Sequence, residues 1–172
     1  MEFTVCAPNF HERIIPEKSP ADLALLLAEG KAGSLFTKYP DSFIVGADQV
    51  LALGDRVFSK PGSAECAVKQ LKELMGRTHH LFTVYAILNN QTSESKTRVV
   101  HSRLRMRTIF DQRLLHHLVN QDRAWDCVGG YKFESLGIQL FSSIRTSDPN
   151  AIVGLPLLTL GHDLRHLIKG MN

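Results

Sequence analysis

The run Phe43-Ile44-Val45-Gly46-Ala47-Asp48-Gln49-Val50 decides how this chain is read. Its first five residues carry no polar side chain, the pattern of a strand buried inside a sheet. Asp48 is expected to end that strand, which sets its carboxylate at a sheet edge, where open α/β sheets place their ligands. Upstream, Ser19-Pro20 supplies a hydroxyl N-cap followed by proline at the first helical position. Leu23, Leu26 and Leu27 follow at helical spacing toward Lys38, and the helix stops before Pro40. Earlier still, residues 3–6 form a short apolar run halted by Ala7-Pro8, read as a strand entering a loop.

Downstream, residues 50–53 and 56–58 flank Gly54-Asp55, a hairpin turn. Ser63 caps a second helix carrying Ala67, Leu71 and Leu74, with Gly76 placed to close it. Strands are expected over residues 81–88 and 97–109, joined across Asn89-Asn90-Gln91-Thr92-Ser93. In the second of these Leu104 and Met106 alternate with Arg103, Arg105 and Arg107, giving one apolar face and one basic, solvated face. A helix over residues 111–120, a turn-rich stretch from Gly129-Gly130, a strand over 138–144 and a terminal helix over 157–168 complete the pattern. Strands alternating with helices point to an α/β fold, a mixed sheet with flanking helices, in one domain spanning residues 1–172.

Composition narrows the function classes. With 44% hydrophobic and 22% charged residues, the chain is no disordered tail, coiled coil or collagen-like polymer. A net charge of +3 is too mild to argue for a nucleic-acid partner and suits a small anionic ligand. Cys6, Cys66 and Cys127 form no CxxC pair and read as reduced thiols of a cytoplasmic protein. The first residues lack the basic and apolar regions of a secretory leader, and no apolar run approaches the roughly 20 residues of a membrane span.

Several residues invite chemistry. Lys60-Pro61 lies just ahead of the Ser63-capped helix, and an ammonium beside the free N–H groups of a helix N-terminus suits a phosphate. Glu12, in the loop after residues 3–6, would bring a second carboxylate to Asp48. Two carboxylates near phosphate oxygens suit a hard cation such as Mg²⁺. An aspartate at a strand end is more often a turn or cap residue, so this spacing alone does not identify a site. His162 and His166 have the spacing of a zinc helix, yet no third ligand accompanies them, and they read as an ordinary helix end. His79-His80 and His116-His117 read as surface or partly packed residues, and Trp125 as packed.

Taken together, Ile44-Val45-Gly46-Ala47-Asp48-Gln49-Val50, Lys60-Pro61, Gly129-Gly130-Tyr131 and Val153-Gly154-Leu155-Pro156-Leu157 resemble, in order and spacing, the Maf family of nucleotide pyrophosphatases. The resemblance runs over nearly the whole chain from Phe3 onward. Gln49, the turn Lys132-Phe133-Glu134-Ser135-Leu136-Gly137 and Asp148-Pro149-Asn150 are similar to the branch that hydrolyses 7-methyl-GTP. It implies a twisted mixed sheet of the Maf and inosine-triphosphatase type, a homodimer, and metal-dependent cleavage of the α–β phosphoanhydride. Asp48 matches the proton acceptor, Gln49 and Glu134 the positions that set base specificity, and Lys60 the phosphate-side lysine. Glu12 matches the second member of the family's Asp-Glu pair, whose first position holds His11 here.

Elementary chemistry supports these roles. Cleaving a phosphoanhydride needs a positioned water, a base for its proton and cations for the developing charge. Asp48, Lys60 and Mg²⁺ held by Glu12 and Asp48 would supply them. The Glu134 carboxylate only accepts hydrogen bonds, whereas guanine N1–H and N2–H₂ only donate. Methylation at N7 makes the ring cationic and favours a carboxylate further. The family's opening Ser-x-Ser-Pro-Arg-Arg loop, which grips the triphosphate, has no counterpart in this sequence. One charge-assisted contact is worth roughly 1.5–3 kcal/mol, so catalysis weakened by orders of magnitude is expected. The alternative is a Maf-like module, truncated and catalytically weak or silent, that binds nucleotides.

Overall fold

The computed structural model describes residues 2–11, 18–109 and 111–169. In it the decisive run becomes β1 (Phe43–Leu53), which passes through Asp48 instead of ending there, then turns at Gly54 (φ +60°) into the short β2 (Arg56–Phe58). β2 pairs only with Leu51, Ala52 and Leu53. The preceding residues of β1 therefore have a strand, β3 (Thr78–Asn89), on one side alone among the described residues. This open edge explains the correction, since a polar pair inside a strand is tolerated where no neighbour crowds it. β4 (Glu94–Met106) and β5 (Phe141–Arg145) complete a sheet of order β2-β1-β3-β4-β5, with every described pairing antiparallel. The expected α/β fold with flanking helices is thus what forms, although its sheet, expected to be mixed, is antiparallel throughout the described residues.

The helices start where their caps place them. Ser19 accepts from the Asp22 N–H to open α1 (Pro20–Gly33), and Ser63 accepts from the Cys66 N–H to open α2 (Ala64–Leu74). Asp111 does the same for α3 (Gln112–Asp122). α1 covers one face of the sheet, packing Leu23, Leu27 and Ala28 against Ile44, Val50 and Val84. On the other face α2 and α3 bury Leu71, Leu74, Leu115 and Leu118 against Leu51, Leu81 and Leu104. α4 (Leu157–Lys169) sets Leu160 beside Tyr85 and Ile87, and buries Asp163. That carboxylate accepts from Arg98 and Lys96 at 2.9 Å and from the Tyr85 hydroxyl at 2.8 Å. Arg98 foremost holds Asp163 well below the usual carboxylate range, while burial and Asp163 push Tyr85 up to about 12.

β4 alternates as its sequence requires, with Ser102, Leu104 and Met106 buried and His101, Arg103 and Arg105 exposed. Other expectations change. Residues 3–6 form no strand, and Phe3 and Val5 are 83% and 86% exposed. An apolar run becomes a strand only when a neighbour takes its N–H and C=O groups, and among the described residues none does. Residues 138–144 divide into a 3₁₀ turn, Leu136–Leu140, and β5. Gly137 is the cause: a Cβ there would stand 2.4 Å from the Lys132 carbonyl oxygen, so the turn closes as strand geometry cannot. No helix among the described residues is long and apolar enough to cross a membrane.

Candidate active site

A glycine sets the geometry. A Cβ at Gly46 would lie 2.4 Å from the Ala28 carbonyl oxygen and 2.6 Å from the Ala32 amide nitrogen. Glycine on β1, facing Ala24, Ala28 and Ala32 on α1, lets helix and strand approach this closely. The approach carries one helical stripe, Leu23, Leu27 and Lys31, onto a cavity of about 590 Å³ beside β1. There Lys31 Nζ donates to Asp48 Oδ1 at 2.5 Å, with the two side chains 20% and 10% exposed. Lys31 was not evident from sequence. Its only signal is its place, four residues beyond Leu27 at the end of an otherwise apolar stripe.

Asp48, Gln49, Lys60 and Glu134, named from separate stretches of sequence, all line this cavity. Glu12 lies outside the described residues, so the expected Glu12–Asp48 pair does too. Lys60 and Glu134 are exposed at the rim. The first turn of α2 is not part of the lining, so Lys60 arrives without the helix N–H groups expected beside it. Lys31, Lys60 and Lys132 line the cavity together with Asp48, Asp126 and Glu134, a mixed lining suited to a polyanion bound with a cation. Among the described residues no group of three or more His, Cys, Asp or Glu stands close enough to hold a metal. Mg²⁺ bound to phosphates needs only one or two carboxylates, however, and the hard oxygen donors of Asp48 fit it.

The aromatic wall also differs from expectation in detail. Trp125 packs against the core as expected, and Phe58, Tyr131 and Phe133 supply the cavity rings. Behind Tyr131 lies His79, fully buried and not a surface residue, with Nε2 2.9 Å from the Tyr131 hydroxyl. Burial pushes His79 down to about 4 and the Tyr131 hydroxyl upward. Its position on β3, pointing to the side packed by α2 and α3, is what sequence spacing did not resolve.

Gln49 is tightly held. Its Nε2 donates to the carbonyls of Ala151 (2.7 Å) and Ile152 (3.2 Å) and to Thr83 Oγ1 (2.9 Å). Those carbonyls belong to a 3₁₀ turn, Pro149–Val153, fixed in turn by buried Asp148. Asp148 accepts from the Asn150 N–H at 3.1 Å and from the Leu158 N–H at 2.8 Å, so one carboxylate caps both this turn and α4. Val153 and Gly154, at φ +114° for the glycine, then form the cavity wall. A chamber with lysines, a strand carboxylate, a fixed amide and aromatic rings has the donors and acceptors for a phosphate chain and a planar base together.

A family model described as Maf-like protein matches residues 1–167. A 7-methyl-GTP pyrophosphatase of Aromatoleum aromaticum is 36% identical over 165 residues, covering 96% of this chain and 84% of that relative. Relatives of the same name from Nitrosococcus oceani and Pseudomonas fluorescens are 34% and 37% identical over 160 residues. Each match covers 93% of this chain, and 80% and 83% of the respective relative. With a family model spanning nearly all of its residues and relatives aligned over most of both lengths, this chain belongs to the Maf-like family.

Proposed function

We propose that this chain hydrolyses 7-methyl-GTP to 7-methyl-GMP and pyrophosphate. The observation that carries the reading is one cavity gathering Asp48, Gln49, Lys60 and Glu134 from separate stretches of chain. The names of the relatives favour it over a silent binding module. In this reading a water attacks the α-phosphorus and gives its proton to Asp48, while the bond to the bridging oxygen breaks and pyrophosphate departs. Lys31 holds the Asp48 carboxylate in place and adds a cation beside the reacting phosphate. Lys60 and Lys132 take the negative charge of the leaving group. Glu134 accepts from the guanine N1–H and N2–H₂, and its charge favours the cationic methylated ring. A divalent cation, Mg²⁺ held by Asp48 with Glu12, supplies further neutralisation of the phosphates when bound. The reading includes a cytoplasmic location, supported by three free cysteines, and the homodimer that the family resemblance implies.

The test is pyrophosphate release by the purified chain with Mg²⁺, comparing 7-methyl-GTP, GTP, UTP and dTTP. Selective turnover of 7-methyl-GTP, reduced on the order of 10²–10⁴-fold in Asp48→Asn, is the expected result. Equal turnover of all four nucleotides, or an Asp48→Asn variant as active as the parent, refutes the assignment.

A further inference from the structure

β4 carries Arg103 and Arg105 on the face that also holds His101, and the ladder sets Arg103 between two further basic side chains. His80 of β3 stands opposite it on one side and Arg145 of β5 on the other. Cross-strand neighbours share a face, so three guanidiniums and two imidazoles gather at one end of the sheet. All three arginines are exposed, and among the described residues none of them enters a salt bridge. No position of β3, β4 or β5 on this face carries a carboxylate. Burial first, and then His101 and Arg103, hold His80 below the ordinary histidine value. Like charges directly opposite each other destabilise a sheet, and the described residues leave the Arg103–Arg145 pair without compensation. An anion between the two guanidiniums offsets that repulsion.

We propose that this end of the sheet binds a small inorganic oligophosphate, with pyrophosphate the simplest example, through Arg103, Arg105 and Arg145. Planar guanidinium forks match phosphate oxygens two at a time. Strands lie about 4.8 Å apart and rise about 3.4 Å per residue, so the three arginines are rooted in a patch of roughly 5 by 7 Å. Such a patch suits two or three linked phosphates. Further along β4 the same face carries Val99, Thr97 and Ser95, so the charge is a spot and not a track. A nucleic-acid strand needs a basic groove that follows roughly 4–16 nucleotides, which this face does not supply. Nor does it lay rings flat for a base. His101 stacks on Phe82 with centroids 4.7 Å and planes 2° apart, and on His80 at 4.9 Å, so these rings are occupied with one another. A second copy meeting the patch across a two-fold axis would set like charge against like. None of these residues lines the cavity beside β1, so the site is separate and does not depend on what that cavity hydrolyses.

The test is NMR titration of the full chain with pyrophosphate, reading the ring signals of His80 and His101 and the backbone amides of residues 101–105 and 143–145. Signals local to the patch keep any binding in the cavity out of the measurement. Saturable shifts with a Kd below about 1 mM are expected. Arg103→Gln and Arg145→Gln should each weaken that binding roughly tenfold, the scale of one charge-assisted contact. Both substitutions relieve like-charge repulsion, so Tm stays at or above the parent value and the loss is one of binding, not of folding. Inorganic phosphate, with fewer oxygens to share among three arginines, should bind at least about tenfold more weakly than pyrophosphate. Absence of saturable shifts, an unchanged Kd in both variants, or phosphate binding as tightly as pyrophosphate overturns the inference. So does tighter binding of ATP at the same signals, which would assign the patch to a nucleotide. An oligoribonucleotide that displaces pyrophosphate with a steep salt dependence would assign it to nucleic acid and overturn the inference equally.

Discussion

Replacing Gly46 by alanine tests the central geometric argument, because the new methyl group meets backbone and not a movable side chain. The Cβ would stand 2.4 Å from the Ala28 carbonyl oxygen, whereas ordinary contact begins at 3.4 Å. α1 must therefore withdraw from β1 by roughly 1 Å, the difference between those distances, or β1 must bend by as much. Overpacking of this kind costs about 1–3 kcal/mol. For a chain of this length each kcal/mol moves Tm by roughly 2–4 °C, so a drop of about 2–12 °C is expected in differential scanning fluorimetry. The same withdrawal carries Lys31 away from Asp48, now 2.5 Å apart. A misplacement of about 1 Å at a reacting group costs on the order of 10²-fold, so kcat/KM for 7-methyl-GTP falls by one to two orders of magnitude. Gly33→Ala is the control: it lies in the same helix and its Cβ would meet no atom within 4 Å. It should stabilise by about 0.5–1 kcal/mol and leave the rate unchanged. A Gly46→Ala protein with unaltered Tm and rate would refute the claim that this glycine sets the approach of α1.

Lys31→Met removes the ammonium at Asp48 while keeping most of the aliphatic stem. We expect kcat to fall at least tenfold with the fold intact by circular dichroism, and unchanged kcat would exclude Lys31 from the mechanism. His79 makes stability depend on pH. Its folded value, about 4, lies below the ordinary histidine value of about 6.5. Between these the unfolded chain binds a proton that the native chain refuses, so this contribution is fully present above pH 6.5 and is lost as pH falls toward 4. The slope is about 1.4 kcal/mol per pH unit, or about 3 kcal/mol across the window, for that residue. Urea unfolding at pH 5 and pH 7 should therefore give a smaller difference in His79→Gln than in the parent, and equal differences would place the titration elsewhere.

Much of this molecule is legible before any coordinates. Ser19, Ser63 and Asp111 open their helices because a side-chain oxygen beside unpaired N–H groups is a local device, complete within three residues. Gly54 turns β1 into β2, and the alternation around Leu104 divides β4 into a packed and a solvated face, for equally local reasons. Motif order singles out Asp48, Gln49, Lys60 and Glu134 as candidates, and all of them line one cavity. What escaped is non-local. Asp48 was expected to end a strand, and only the short reach of β2 makes it a position along an open edge. The run at residues 3–6 looked like a strand, yet whether an extended segment becomes one depends on a partner the segment cannot specify. Lys31 and Thr83 lie 17 residues before Asp48 and 34 residues after Gln49, and no local pattern connects either pair. Tertiary structure decides them, through a helix brought close over Gly46 and a strand pairing that sets Thr83 opposite Gln49. Caps, turns and alternation are short-range and are written in adjacent residues, whereas the pairing of charges and the orientation of an amide depend on which distant surfaces the packed sheet brings within about 3 Å.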